Sequence, residues 1–283
     1  MASLSVPPVP TDPRRDAIDL HRAFKGFGCD ATAVTAILAH RDASQRALIR
    51  RHYAAVYHQD LLHRLAAELS GHHKRAVLLW VLDPASRDAA VLHQALNGDV
   101  TDMRAATEVV CSRTPSQLLV VRQAYLARFG GGLEHDVAVR ASGDHQRLLL
   151  AYLRSPRYEG PEVVDMAAAA RDARELYRAG ERRLGTDERT FIRAVKSETS
   201  GNFGFGLLTI LRCAESPAKY FAKVLHEAMK GLGTNDTTLI RVVTTRAEVD
   251  MQCIKARSLA DAVHSETSGN YRTFLLSLVG RDR

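Results

Sequence analysis

Apolar residues recur along this chain at the spacing of a helix face. Ile49, Tyr53 and Val56 follow one another at steps of four and three, and Leu118, Val121 and Tyr125 at steps of three and four. Ala, Leu and Arg are abundant and alternating Val/Ile/Thr runs are rare, so the pattern predicts an all-α protein. Thr114-Pro115-Ser116 reads as a helix start, a polar cap followed by proline. No apolar run approaches the ~20 residues that a membrane span needs.

The pattern also repeats at long range. LHRAF begins at Leu20, LHQAL at Leu92, LYRAG at Leu176 and LHEAM at Leu225. The offset between the first two recurs further along, where Arg41, Ser44 and Gln45 match Arg113, Ser116 and Gln117. Arg246 follows Leu225 as Arg41 follows Leu20. Four related modules result, at 15–83, 84–156, 168–214 and 215–283, with a Pro-rich flexible tail at 1–14 and a linker at 157–167. A unit of this size holds about five short helices, and such modules pack around shared apolar faces.

Composition changes this picture little. Of 283 residues, 46% are hydrophobic and 25% charged, which is ordinary for a soluble globular chain. The first residues contain no apolar core of signal-peptide length. Cys29, Cys111, Cys213 and Cys253 are scattered without CxxC spacing, which argues against a zinc site or a disulfide scaffold and for a reducing compartment. The net charge of +7 suits an anionic partner or plain solubility. Lys and Arg are spread through all modules without an aromatic-interleaved patch, so nucleic acid is not expected as a partner.

Two stretches carry chemistry. Lys25-Gly26-Phe27-Gly28-Cys29-Asp30 and Lys230-Gly231-Leu232-Gly233-Thr234-Asn235 each place glycines at i and i+2. Such a loop turns sharply and directs its carbonyls outward. Carbonyl oxygens are hard ligands, and a calcium ion takes six to eight oxygens. A distal carboxylate would complete each site: Glu68, forty positions after Gly28, and Glu266, thirty-three after Gly233. Glu266 lies in SETSGN, a stretch written at 197–202 and again at 265–270; its glycine is expected to end the helix that carries the glutamate. Sites with one carboxylate keep open positions for lipid phosphate or water. Phe27 and Leu232, at the loop tips, would dip into a bilayer interface. The alternative is a pair of Gly-rich turns with solvated glutamates.

These residues resemble the annexins. The (M/F)-K-G-x-G-(T/C) loop, the later ELSG or SETSG and the four-module layout carry the resemblance over nearly the whole chain. LAHRD, LLWVLDP, RYEGPE and SETSGNYRTFLLSLVG are similar to the plant branch, whose members are linked to stress responses. The resemblance implies a curved all-α disc that is cytoplasmic and binds acidic phospholipid peripherally when calcium rises, with possible self-association on the membrane. Carried over, it implies Ca2+ ligation by Phe24, Gly26, Gly28 and Glu68, and by Met229, Gly231, Gly233 and Glu266. Cys29 stands where the family has Thr, a poorer helix cap, with Asp30 compensating. Asn97-Gly98-Asp99-Val100 in the second module lacks the loop, and no site is expected there.

The later modules depart from the family. In the third, Arg183 takes the first glycine's place, and Glu198 follows Gly185 by only thirteen positions. A large part of the module is missing there, and a straight helix over that short interval would hold Glu198 roughly 20 Å from its loop. The first SETSGN is therefore expected to be a remnant without a site. The fourth module is shortened by seven positions near 256–258, but Glu266 is expected to reach its loop.

Rival readings exist. His40, in LAHRD, resembles a histidine tied to peroxidase-like activity in plant annexins, but no haem-binding context accompanies it. Cys111 and Cys213 match a proposed redox pair, and buried inert thiols explain them equally. Gly180 to Gly185 has the glycine spacing of a nucleotide-hydrolysing P-loop, with Thr186 where Lys is needed. Ile192-Arg193-Ala194 departs from an Ile-Arg-Ile segment linked to F-actin scaffolding.

Overall fold

The computed structural model describes residues 11–26, 28–157, 166–176, 195–196, 198–231, 233–255 and 259–280. Among them the regular elements are helices, without a strand. In chain order they are α1 (Pro13–Ala23), α2 (Ala31–Leu38), α3 (Ala43–Tyr57), α4 (Leu61–Glu68), α5 (Gly71–Val81), α6 (Pro84–Asn97), α7 (Met103–Ser112), α8 (Pro115–Phe129) and α9 (Leu133–Arg140). There follow α10 (Gly143–Arg154), α11 (Met166–Leu176), α12 (Gly201–Glu215), α13 (Pro217–Ala228), α14 (Asp236–Arg246), α15 (Met251–Ile254), α16 (Leu259–Glu266) and α17 (Gly269–Val279). The five-helix pattern α1–α5 recurs as α6–α10, and again as α13–α17 with its third helix cut to a single turn.

The repeat is a repeat of helix punctuation. Gln45 and Gln117 are the third residues of α3 and α8. Each closes a capping box: its amide donates to Asp42 or Thr114, and its side-chain carbonyl accepts from that residue's backbone N–H. Two orphan donors are satisfied at each start. The far ends of these helices match too, with left-handed caps at His58 and Gly130. Ile49 and Tyr53 are buried as the spacing predicts, but Val56, in the last turn before His58, is exposed.

The SETSGN glycine does not end a helix. Glu266 is the last residue of α16, Ser268 caps the next helix, and Gly269 is the first residue of α17 with φ 57°. Ser70-Gly71, Ser142-Gly143 and Ser200-Gly201 do the same, with glycine φ values of 59°, 56° and 61°. A left-handed residue directly after the cap folds each helix back sharply, and only glycine adopts it without strain.

The described chain divides into two compact units, residues 1–90 with 218–283 and residues 91–217. In the first, α5 packs on α14 and α17, and α17 on α2. Its centre holds Trp80, fully buried, with the guanidinium carbons of Arg46 and Arg87 at 3.9 and 4.7 Å from the ring centroid. Glu248 receives both nitrogens of Arg46, at 3.1 and 3.0 Å, and Arg87 at 3.3 Å. Burial lowers the Arg46 pKa and brings that of Arg87 down to about 10.

In the second unit α12 lies along α7 and α10. Gly206 permits the close approach, since a Cβ there would stand 2.8 Å from Leu148 and 3.3 Å from Thr107. A buried Thr–His pair recurs in both units. The Thr35 hydroxyl faces His73 Nε2 at 3.4 Å, and Thr107 faces His145 at 2.8 Å. Burial lowers the pKa of both histidines.

Candidate functional site: two glycine loops and their glutamates

Three loops share one backbone frame. The N–H of Asp30 donates to Ala23 O, that of Asp102 to Ala95 O and that of Asn235 to Ala228 O, at 2.9, 2.8 and 2.8 Å. The same residues then cap α2, α7 and α14, accepting from Ala33, Ala105 and Thr238 at 3.0 Å each. The cap is therefore Asp30 itself, and Cys29 stands just outside it. Substituting Cys for Thr there does not weaken the helix start, contrary to the expectation from sequence.

What distinguishes the first and fourth loops is the glycine pair. Gly26 and Gly28 have φ of 132° and 93°, and Gly231 and Gly233 of 102° and 98°. These conformations favour glycine strongly, and both glycine pairs adopt them. All four glycines are exposed. Phe24 and Met229, the first carbonyl of each candidate set, close the preceding helices α1 and α13. Phe27 and Leu232 lie outside the described residues.

Each distal glutamate returns to its loop. In the first, Arg64 Nη2 stands 2.7 Å from Glu68 Oε1 and 3.3 Å from the Phe24 carbonyl. One nitrogen touches both, so those two oxygens are held close together. The Cys29 thiol is pushed up first by burial and then by the charges of Glu68 and Asp30. In the fourth loop the Thr234 hydroxyl lies 3.2 Å from Glu266 Oε2 and 3.3 Å from the Glu266 carbonyl. Glu68 is half-buried and Glu266 exposed.

The second loop has the frame without the site. Gly98 has no left-handed φ. Asn97 donates to Asp136 at 2.8 Å and to the Tyr125 hydroxyl at 3.1 Å, and Tyr125 donates to Asp136. At the offset that separates the first two modules, Asp136 replaces Arg64 and Arg140 replaces Glu68. The charges are exchanged: the carboxylate that comes back is Asp136, one turn earlier on its helix than Glu68, and it is taken by the Asn97 side chain and Tyr125.

Sequence reasoning missed Arg64 and the contact of Thr234 with Glu266. The i, i+4 spacing of Arg64 and Glu68 on α4 was the available signal. The third-module loop at 180–186 and Ile192-Arg193-Ala194 fall outside the described residues, as does the separation of Glu198 from that loop. His40 follows α2, and its carbonyl accepts from Arg41 at 3.2 Å. Cys111 is buried, its thiol pushed up to about 12 by burial and by neighbouring Cys213. Among the described residues no cluster of three or more His, Cys, Asp or Glu side chains has metal-binding geometry.

The family model described as Annexin matches residues 15–80, 87–152 and 220–278. The chain belongs to the annexin family. Among annexins, it is 46% identical to Annexin D5 of Arabidopsis thaliana over 314 aligned residues, covering 99% of both chains. That span exceeds the 283 residues present here, so the relative carries about thirty residues that this annexin lacks. Among solved structures, annexin III superposes with a TM-score of 0.91 at 32% identity, covering 100% of this chain and 98% of the other. A calcium-bound annexin (Sm)1 gives 0.84 at 28%, covering 99% and 93%. Annexins generally bind phospholipid in a calcium-dependent manner. No helix among the described residues is long and apolar enough to cross a membrane.

Proposed function

We propose that this protein binds acidic phospholipid surfaces peripherally through calcium held at two loops. Phe24, Gly26, Gly28 and Glu68 form the first site, and Met229, Gly231, Gly233 and Glu266 the second. The observation that carries the reading is the return of Glu68 and Glu266, from far along the chain, to glycine loops of matching backbone conformation.

The donor set fits the ion. Calcium takes oxygens at 2.3–2.6 Å, so ligands on opposite sides stand up to about 5 Å apart. Phe24 O and Glu68 Oε1, bridged by one guanidinium nitrogen, need only a small adjustment to meet such an ion. Two or three carbonyls and one carboxylate leave positions open, which headgroup phosphate oxygens complete. Phe27 and Leu232, between the glycines, supply apolar contact with the lipid. The stretch 168–214, which the family model leaves unmatched, is a reduced repeat that contributes no site.

Sedimentation with phosphatidylserine vesicles tests this. The wild-type protein pellets with calcium and stays in solution with chelator. Glu68→Gln and Glu266→Gln each raise the calcium requirement, and the double variant does not pellet. Pelleting of the double variant at unchanged calcium rejects the proposal.

A further inference from the structure

The two loops differ in what holds their glutamate before any cation arrives. Glu266 is held by a neutral hydroxyl, and the residue one turn before it on α16 is Ala262. Glu68 is held by Arg64, one turn before it on α4. Arg64 Nη2 contacts two of the oxygens assigned to the ion, Phe24 O and Glu68 Oε1. The guanidinium thus supplies positive charge to the same oxygens that a divalent cation would take.

We infer that Arg64 is a built-in competitor for the first cation site: calcium enters by displacing its guanidinium from Phe24 O and Glu68. This rests on the assignment of Glu68 as a calcium ligand. The guanidinium opposes the cation, because a positively charged nitrogen that touches both oxygens, at 2.7 Å from Oε1 and 3.3 Å from Phe24 O, would stand against an ion 2.3–2.6 Å from the same pair. The bond to be broken is incomplete. Arg64 Nε is buried without a hydrogen-bond partner among the described residues, the contact to Phe24 O is long at 3.3 Å, and the side chain is one-third exposed. Release is therefore feasible, and the free guanidinium stays at the loop, where it can pair with a lipid phosphate as planar donors do. Among the described residues the fourth loop shows no such competitor, so it loads at lower calcium and the first loop follows.

The test uses the full-length chain with Glu266→Gln, which leaves the first loop alone, and phosphatidylserine/phosphatidylcholine vesicles. Adding Arg64→Gln lowers the calcium needed for half-sedimentation about twofold to fivefold, the range of a surface ion pair. Arg64→Lys, which keeps the charge, stays near the parent. In chelator without vesicles, Arg64→Gln lowers the melting temperature, and calcium restores more of it than in the parent. Circular dichroism establishes that each variant is folded. If Arg64 only props Glu68 in place, Arg64→Gln weakens calcium binding instead; that result, or no change, overturns the inference. A separate arm with Glu68→Gln and Glu266→Gln distinguishes the two failures. Pelleting that persists there at the calcium level of Glu266→Gln alone rejects the site and the competitor together. Pelleting lost there, with Arg64→Gln unchanged or weakened, rejects the competitor alone.

Discussion

The Thr234 hydroxyl donates to the Glu266 carboxylate across 3.2 Å, joining the residue after the fourth glycine loop to the end of a helix 32 positions further on. The corresponding residue in the first loop is Cys29, a weak donor. Thr234 therefore positions Glu266, while the N-cap of α14 is Asn235. Thr234→Val should raise the calcium requirement of vesicle binding about threefold to tenfold in a Glu68→Gln background, reflecting a partly exposed hydrogen bond to a charged group. It should leave the melting temperature in chelator nearly unchanged. A large drop in melting temperature would show that the hydroxyl serves the fold.

Glu248 is the carboxylate that both buried arginines over Trp80 share. Removing it leaves two buried guanidinium groups without that compensation. Glu248→Ala should cost about 3–5 kcal/mol, the usual penalty for breaking a buried pair by deleting one partner. Urea unfolding measures it, and a cost below about 1 kcal/mol would mean that backbone carbonyls alone neutralise the pair.

Asp60 caps α4, the helix that carries Arg64 and Glu68, accepting from the His63 amide at 3.1 Å. Burial pushes its carboxyl up, but that hydrogen bond and Arg50 outweigh it, so its pKa is lowered on balance. A lowered folded pKa gives stability that is present above the ordinary carboxylate value of about 3.9 and lost as pH falls through the folded value. Asp60→Asn keeps a capping oxygen and removes the titration. Its stability, measured in chelator, should fall less steeply below about pH 4 than that of the wild type. Equal slopes would assign the acid sensitivity elsewhere.

Thiol chemistry should follow burial. Cys253 is exposed, while Cys111 is buried with its thiol pushed up to about 12. The thiolate is the reactive form. A disulfide reagent at mildly alkaline pH should label Cys253 in the native protein and Cys111 only after unfolding. Comparable native rates for both would give Cys111 an activated thiol.

Much of the fold was legible because helix spacing and capping are local. Gln45 and Gln117 matched in sequence since each closes a capping box, and Ile49 and Tyr53 matched a buried face. The glycine loops and their glutamates were legible because the pairing is written twice. The remainder depended on contacts that leave no period in the sequence. Arg46 meets Glu248 across 202 positions, and no spacing rule announces that. Ser-Gly after each glutamate was misread because glycine ends helices more often than it begins them; only the backbone angle shows which it does. Val56 kept the spacing of its face but is exposed in the last turn of α3.

Those four Ser-Gly starts bear on how such a chain tolerates loss. Each is a self-contained hinge, set by one residue's backbone and indifferent to the length of what precedes it. The spacer between Gly233 and Glu266 is shorter than that between Gly28 and Glu68, yet both acids come home to their loops. A designer could trim or lengthen the intervening helix and keep the endpoints fixed, provided the hinge glycine is left alone.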